Sequence, residues 1–287
     1  MKNEAKWKLP HPSHVVTCIE KWRSLDLRKM GDSDIDKELS SFLDSLGEFS
    51  VSAIKENSFT LWRLRKFDHL IKNVSDCWEP PPETTKLGRC NAACSPVLYV
   101  SKQLKTPFEE LFIQPNEQVY AIKYKQIERL NLKIIISQEL NVTDQEGNPI
   151  YDNDSELSYQ ILREFVRSEF LKPVGIGTEY LHRISASMCR VWFNADDSDG
   201  WIYPSVQSSG DFNIAIKPES AHKKLKIEDV RIVRMVEKEK VINSGSINES
   251  VLPLFNMMSM IIESIFKGSI NENQITWLPA NDLGCDF

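Results

Sequence analysis

Hydrophobic spacing changes period near residue 59, and that change does most to decide what the chain can fold into. Upstream, Val15, Cys18, Ile19 and Trp22, then Ile35, Leu39, Phe42, Leu43 and Leu46, recur at threes and fours. This predicts two amphipathic helices between about Pro12 and Ile54. Ser33, ahead of acidic residues, suits an N-cap, and Gly47 suits a C-cap. From Phe59 to Leu64 the spacing falls to two, so Trp62 and Leu64 share one face of a strand and Arg63 and Arg65 the other. Further strands are predicted at 97–100, 118–124, 132–137, 200–203 and 212–216, with a β-rich stretch at 225–241. Helices are predicted at 106–112, 157–170 and 177–192. Strands and helices do not strictly alternate, which points to an α+β fold rather than a doubly wound parallel sheet. The run VLPLFNMMSMIIESIF from Val251 is interrupted by Asn256, Ser259 and Glu263, falls short of a membrane span and reads as a buried helix. The division expected is a helical N-terminal extension over 1–56, a main domain over 57–242, and a C-terminal helical segment over 243–287 packed on the core.

Charge and cysteine usage exclude several functions. A formal charge of -6 argues against a chain that grips nucleic acid by its phosphates. The first residues lack an apolar run with a cleavage site, so a cytoplasmic protein is expected. The six cysteines are scattered, which favours free thiols. His11 and His14 with distant cysteines make no credible zinc site, and Cys90 with Cys94 lacks a second ligand pair, so no metal is expected. GIGTEY at Gly175 follows Lys172 and Pro173 instead of a strand and has Tyr180 at the third glycine position, which rejects a dinucleotide fingerprint.

Several residues are candidates for chemistry. Arg63 sits mid-strand, where a guanidinium must reach solvent, pair with an acid or bind an anion. Arg89 follows Gly88 at the end of a proline-stiffened loop, a setting that can hold a planar fork against phosphate. Glu109 and Glu110 are neighbours on a predicted helix and must face different ways; periodicity does not choose between them. Ser205 ends the strand-like WIYPS but has no G-x-S-x-G elbow to make it a nucleophile.

Taken together, WRLR, the PPP loop, GRCN, PVLYVS, a downstream glutamate, IYPSVQ and Asn213 resemble the RES domain family, named for an arginine, a glutamate and a serine. The resemblance covers about Phe59 to Lys217 and places the arginine on Arg63, the glutamate on Glu110 and the serine on Ser205. It puts Arg89 and Tyr99 in the GRxN and PxLYxA motifs and Asn213 on the following strand. Two departures are Trp62 where Tyr or Phe is more usual and Ser95 where glycine commonly precedes PxLY.

The resemblance implies a split β core like that of the ADP-ribosyltransferase toxins, with NAD as substrate and inorganic phosphate or water as acceptor. The function implied is an NAD phosphorylase or glycohydrolase acting as an intracellular toxin, with an Xre-like antitoxin as partner. Glu110, Arg63 and Ser205 would be catalytic, and Arg89, Tyr99 and Asn213 would bind substrate. The alternatives are a protein ADP-ribosyltransferase and a non-catalytic binding module; self-association is left open.

Overall fold

Proline at the first turn and the threes-and-fours pattern produce α1 (Pro12–Arg23), whose entry is fixed by the His11 ring accepting the Ser13 N–H at 3.3 Å. A second helix, α2 (Asp32–Leu46), starts one residue ahead of the expected Ser33 cap. The Gly31 carbonyl instead accepts the amides of Asp34 and Ile35. The computed structural model describes residues 8–46, 53–56, 60–66, 68–135, 146, 151–194, 197–208, 210–240 and 258–280. The expected cap at Gly47 lies outside the described residues.

Next come β1 (Ala53–Glu56), β2 (Thr60–Lys66), β3 (Leu98–Ser101), α3 (Lys105–Glu110), β4 (Gln118–Gln126) and β5 (Leu130–Ile134). They are followed by α4 (Asn153–Leu171), α5 (Arg183–Val191), β6 (Gly200–Pro204), β7 (Phe212–Ile216), α6 (Pro218–Lys224), β8 (Leu225–Lys240), β9 (Met258–Asn271) and β10 (Gln274–Pro279). The fold is α+β, as the spacing predicts. Two expectations are corrected. Residues 53–56 form an edge strand instead of the end of a helix, because they find a partner in β5. The C-terminal segment is not helical where it is described: β9 pairs along β8 and turns back into β10. A dense apolar run satisfies either period, and the long open edge of β8 decides for the strand.

The strands form one mixed sheet in the order β1-β5-β6-β7-β3-β2-β4-β8-β9-β10. It is nearly divided in the middle. Between β2 and β3 the register consists of one pair, Trp62 with Ser101, whereas β2 pairs with β4 over the whole of Thr60–Lys66. This is the split expected of the core. Register also sorts the faces. Trp62, Ser101, Asn213 and Tyr203 lie across from one another on one face, with Tyr99 and Ala215 on the same side. Leu61, Arg63, Val100, Ile122 and Ile214 lie on the other.

The first face is covered by α3, α4 and α5, and α1 and α2 pack outside α4 and α5. Trp22, 2% exposed, meets Phe42, Phe165 and Trp192 with ring centroids 5.0 to 5.4 Å away. Arg190 on α5 grips Asp36 on α2 through both carboxylate oxygens, at 2.7 and 3.0 Å. The N-terminal helices therefore share one core with the sheet.

The second face is covered by α6 and the segment after β2. There the β9–β10 hairpin reaches back: Val74 donates its amide to the Asn273 carbonyl at 3.0 Å, Ile275 donates to Lys72 at 2.8 Å, and the Trp277 indole donates to Ile71 at 2.7 Å. Five of the cysteines are described and all are free. Among the described residues no helix is long and apolar enough to cross a membrane.

Candidate active site

The end of α3 is what brings a carboxylate to the split. Thr106 and Phe108 are buried, and Phe108 packs with Leu64, Ala121 and Val233. With the helix anchored this way, Glu109 turns to Lys105 at 3.5 Å and Glu110 turns to the sheet. Three donors then converge on Glu110 Oε1: the Ser205 hydroxyl at 2.6 Å, the Asn213 side-chain amide at 2.8 Å and the Val206 backbone N–H at 3.2 Å. The second carboxylate oxygen takes no hydrogen bond among the described residues.

The direction of these bonds follows from the hydroxyl's own surroundings. Ser205 Oγ accepts the Ser208 N–H at 2.9 Å, so its proton is committed to Glu110. The loop that carries Ser205 is tied down by Asp211, whose backbone carbonyl accepts the Ser205 N–H at 2.9 Å. The Asp211 carboxylate accepts from Ser208 and, at 3.1 Å, from Thr106 on α3. Thr106, Ser208 and Asp211 escaped sequence reasoning, because their partners are far away in the chain and no local pattern marks them.

Beside this cluster, the GRCN loop is folded onto Tyr99. The Tyr99 hydroxyl donates to Asn91 Oδ1 at 2.8 Å and accepts the Cys90 N–H at 3.0 Å. Gly88 is needed here. A Cβ at that position would lie 2.4 Å from Asn91 Oδ1 and 2.7 Å from the Tyr99 hydroxyl. Arg89 donates to the carbonyls of Phe170 and Lys172 at 2.8 and 2.9 Å, at the C-terminal end of α4. Three of its five N–H groups remain for other acceptors. Its field is felt nearby. Burial first, then Arg89 and Lys172, push the His182 imidazole down to about 4.

Tyr203 joins the two groups. Its hydroxyl is pushed well above the usual range by burial first and then by Cys90, Tyr99 and Glu110, while Arg89 acts in the opposite sense. Its ring meets Tyr99 edge-on at 6.4 Å. The IYPS motif contains this residue, but sequence reasoning passed over it for the adjacent serine.

Arg63 is not brought to this site. As the alternation predicts, it shares a face with Arg65, but that face is the opposite one from Glu110, Asn213 and Tyr203. Its guanidinium donates to the carbonyls of Cys77, at 3.1 Å, and Trp78, and Arg65 donates to that of Asp76 at 2.9 Å. The two arginines tie the segment after β2 to the sheet. We expect Arg63→Ala to cost about 1.5–3 kcal/mol in urea unfolding, the range for bonds from a charged donor. Unchanged stability would free Arg63 from the bracing role.

Thus five of the six expected site residues, Glu110, Ser205, Asn213, Tyr99 and Arg89, lie on one face beside the split. Among the described residues no group of His, Cys, Asp and Glu side chains is arranged to hold a metal ion. The family model of the RES domain matches residues 60–235. The chain belongs to the RES domain family. Strands β2 to β7 and most of β8 fall within the RES domain match, whereas α1, α2, β1 and the β9–β10 hairpin lie outside it. No curated protein matches this sequence. Among solved structures, the chain is similar to one in the crystal structure of the M. tuberculosis MbcT-MbcA toxin-antitoxin complex. The identity is 12%, the coverage 63% of this chain and 86% of that one, and the TM-score 0.38.

Proposed function

We propose that this RES domain cleaves the N-glycosidic bond between nicotinamide and ribose in NAD, passing the ADP-ribosyl group to inorganic phosphate or water. The observation that carries the reading is the Glu110 carboxylate, oriented through one oxygen by Ser205, Asn213 and Val206 while its other oxygen stays open. As the bond between C1′ and the ring nitrogen breaks, its electron pair leaves with neutral nicotinamide and positive charge grows on the ribose. A fixed carboxylate beside that ribose stabilises charge that exists mainly in the transition state. The acceptor oxygen then bonds to C1′ and loses its proton to solvent.

The phosphates of NAD need a cation. Arg89 supplies it in this reading, since a guanidinium offers paired donors to phosphate oxygens. Arg63, turned to the other face, takes no part. Ser205 and Asn213 serve by orienting Glu110, and Tyr99 by holding the loop that presents Arg89. The family resemblance carries the biological half of the proposal, an NAD-depleting intracellular toxin held in check by an Xre-like antitoxin.

The test is to incubate the purified protein with NAD, with and without inorganic phosphate, and to separate the products by chromatography. Release of nicotinamide is expected. A phosphorylated ADP-ribose product that forms only with phosphate identifies a phosphorylase, and free ADP-ribose identifies a hydrolase. Folded protein that releases no nicotinamide from NAD under either condition overturns the reading.

A further inference from the structure

Two tyrosines lie on the face that carries Glu110, and their hydroxyls are in opposite situations. The hydroxyl of Tyr99 is fully used within the protein, donating to Asn91 and accepting from Cys90. That of Tyr203 makes no hydrogen bond among the described residues, although the residue is only 5% exposed. The hydroxyl itself keeps contact with solvent, unlike the fully enclosed unpaired atoms elsewhere among the described residues, so it is open to an acceptor that arrives with a ligand. The surroundings say where that acceptor sits. Tyr203 pairs across the sheet with Asn213, whose amide holds Glu110 at 2.8 Å, and its ring meets that of Tyr99, whose hydroxyl holds Cys90 next to Arg89. It therefore adjoins both the carboxylate assigned to the ribose and the loop of the guanidinium assigned to phosphate.

We infer that Tyr203, not Tyr99, presents its hydroxyl to the substrate, donating to an oxygen of the phosphate next to the nicotinamide ribose. The inference rests on the NAD-cleaving reading and adds to it a residue and a contact. Phosphate is the class of acceptor that fits, because a ribose hydroxyl beside Glu110 already has a carboxylate to donate to, whereas a phosphate oxygen can only accept. Burial keeps the phenol protonated, so that it acts as a donor. Tyr99 becomes a positioning residue: it holds the GRCN loop and, through the loop, Arg89.

Paired phenylalanine variants separate the two roles. Tyr203→Phe removes a hydroxyl that has no partner in the protein, so the melting temperature should stay within about 2 °C of wild type. Meanwhile kcat/KM for nicotinamide release should fall about tenfold to a hundredfold. ADP-ribose, which keeps both phosphates but lacks nicotinamide, should bind about tenfold or more weakly to this variant in calorimetry. Tyr99→Phe should instead lower the melting temperature, since it unpairs Asn91 and the Cys90 amide. A Tyr203→Phe protein with wild-type kcat/KM, with wild-type affinity for ADP-ribose, or with a melting temperature lowered as far as that of Tyr99→Phe overturns the inference while leaving the NAD reading in place. A wild-type protein that neither binds nor cleaves NAD removes both.

Discussion

Glu110→Gln should release nicotinamide from NAD at least about a hundredfold more slowly than wild type and unfold at nearly the same urea concentration. The glutamine carbonyl can occupy the place of Oε1 and still accept from Ser205, Asn213 and Val206, so the geometry is kept and the charge alone is lost. Removing one preorganised electrostatic contact of this kind typically costs about 2.7–4 kcal/mol of transition-state stabilisation, or about a hundredfold to a thousandfold in rate. Glu110→Ala differs in a useful way. It leaves three donors without their acceptor, so it should lose stability as well as rate. Turnover by the glutamine variant within about threefold of wild type would show that the carboxylate is an anchor for the 205–211 loop and nothing more.

Trp22→Ala should destabilise the whole protein by about 3–5 kcal/mol, the range for removing a buried aromatic side chain from a core. Trp22 is 2% exposed and lies among Phe42 of α2, Phe165 of α4 and Trp192, which caps the C-terminal end of α5. The cavity would open between the N-terminal helices and α4 and α5, whose other side lies against Tyr203 and Trp201. One cooperative urea transition, shifted to lower concentration, is the expected result. Two separate transitions, with the second unchanged, would mean that the helices before residue 47 fold as an independent unit.

What the sequence revealed depended on how local each decision was. Alternation alone told that Arg63 and Arg65 share a face, because a strand's two sides are fixed by its own residues. It could not tell which side carries chemistry; that is settled by the partners of β2, and they come from residues far along the chain. The same limit held for Glu109 and Glu110. Helical geometry separates them, family resemblance preferred the second, and the structure places Glu110 against Asn213 through the packing of Phe108. The run from Val251 misled for a different reason. Its apolar residues are dense enough to fit a helix, and the opening that turns part of it into a strand lies on β8, 18 to 34 residues upstream.

The β9–β10 hairpin has a consequence in time. The segment after β2 has Asn273, Ile275 and Trp277 as partners, and that segment in turn supplies the carbonyls that hold Arg63 and Arg65. A nascent chain on the ribosome that had already emitted every residue up to 235 would still lack those partners. Its second face would stay open until the hairpin followed. Completion of this face is thus tied to residues 273–277, which are synthesised after the matched domain has ended.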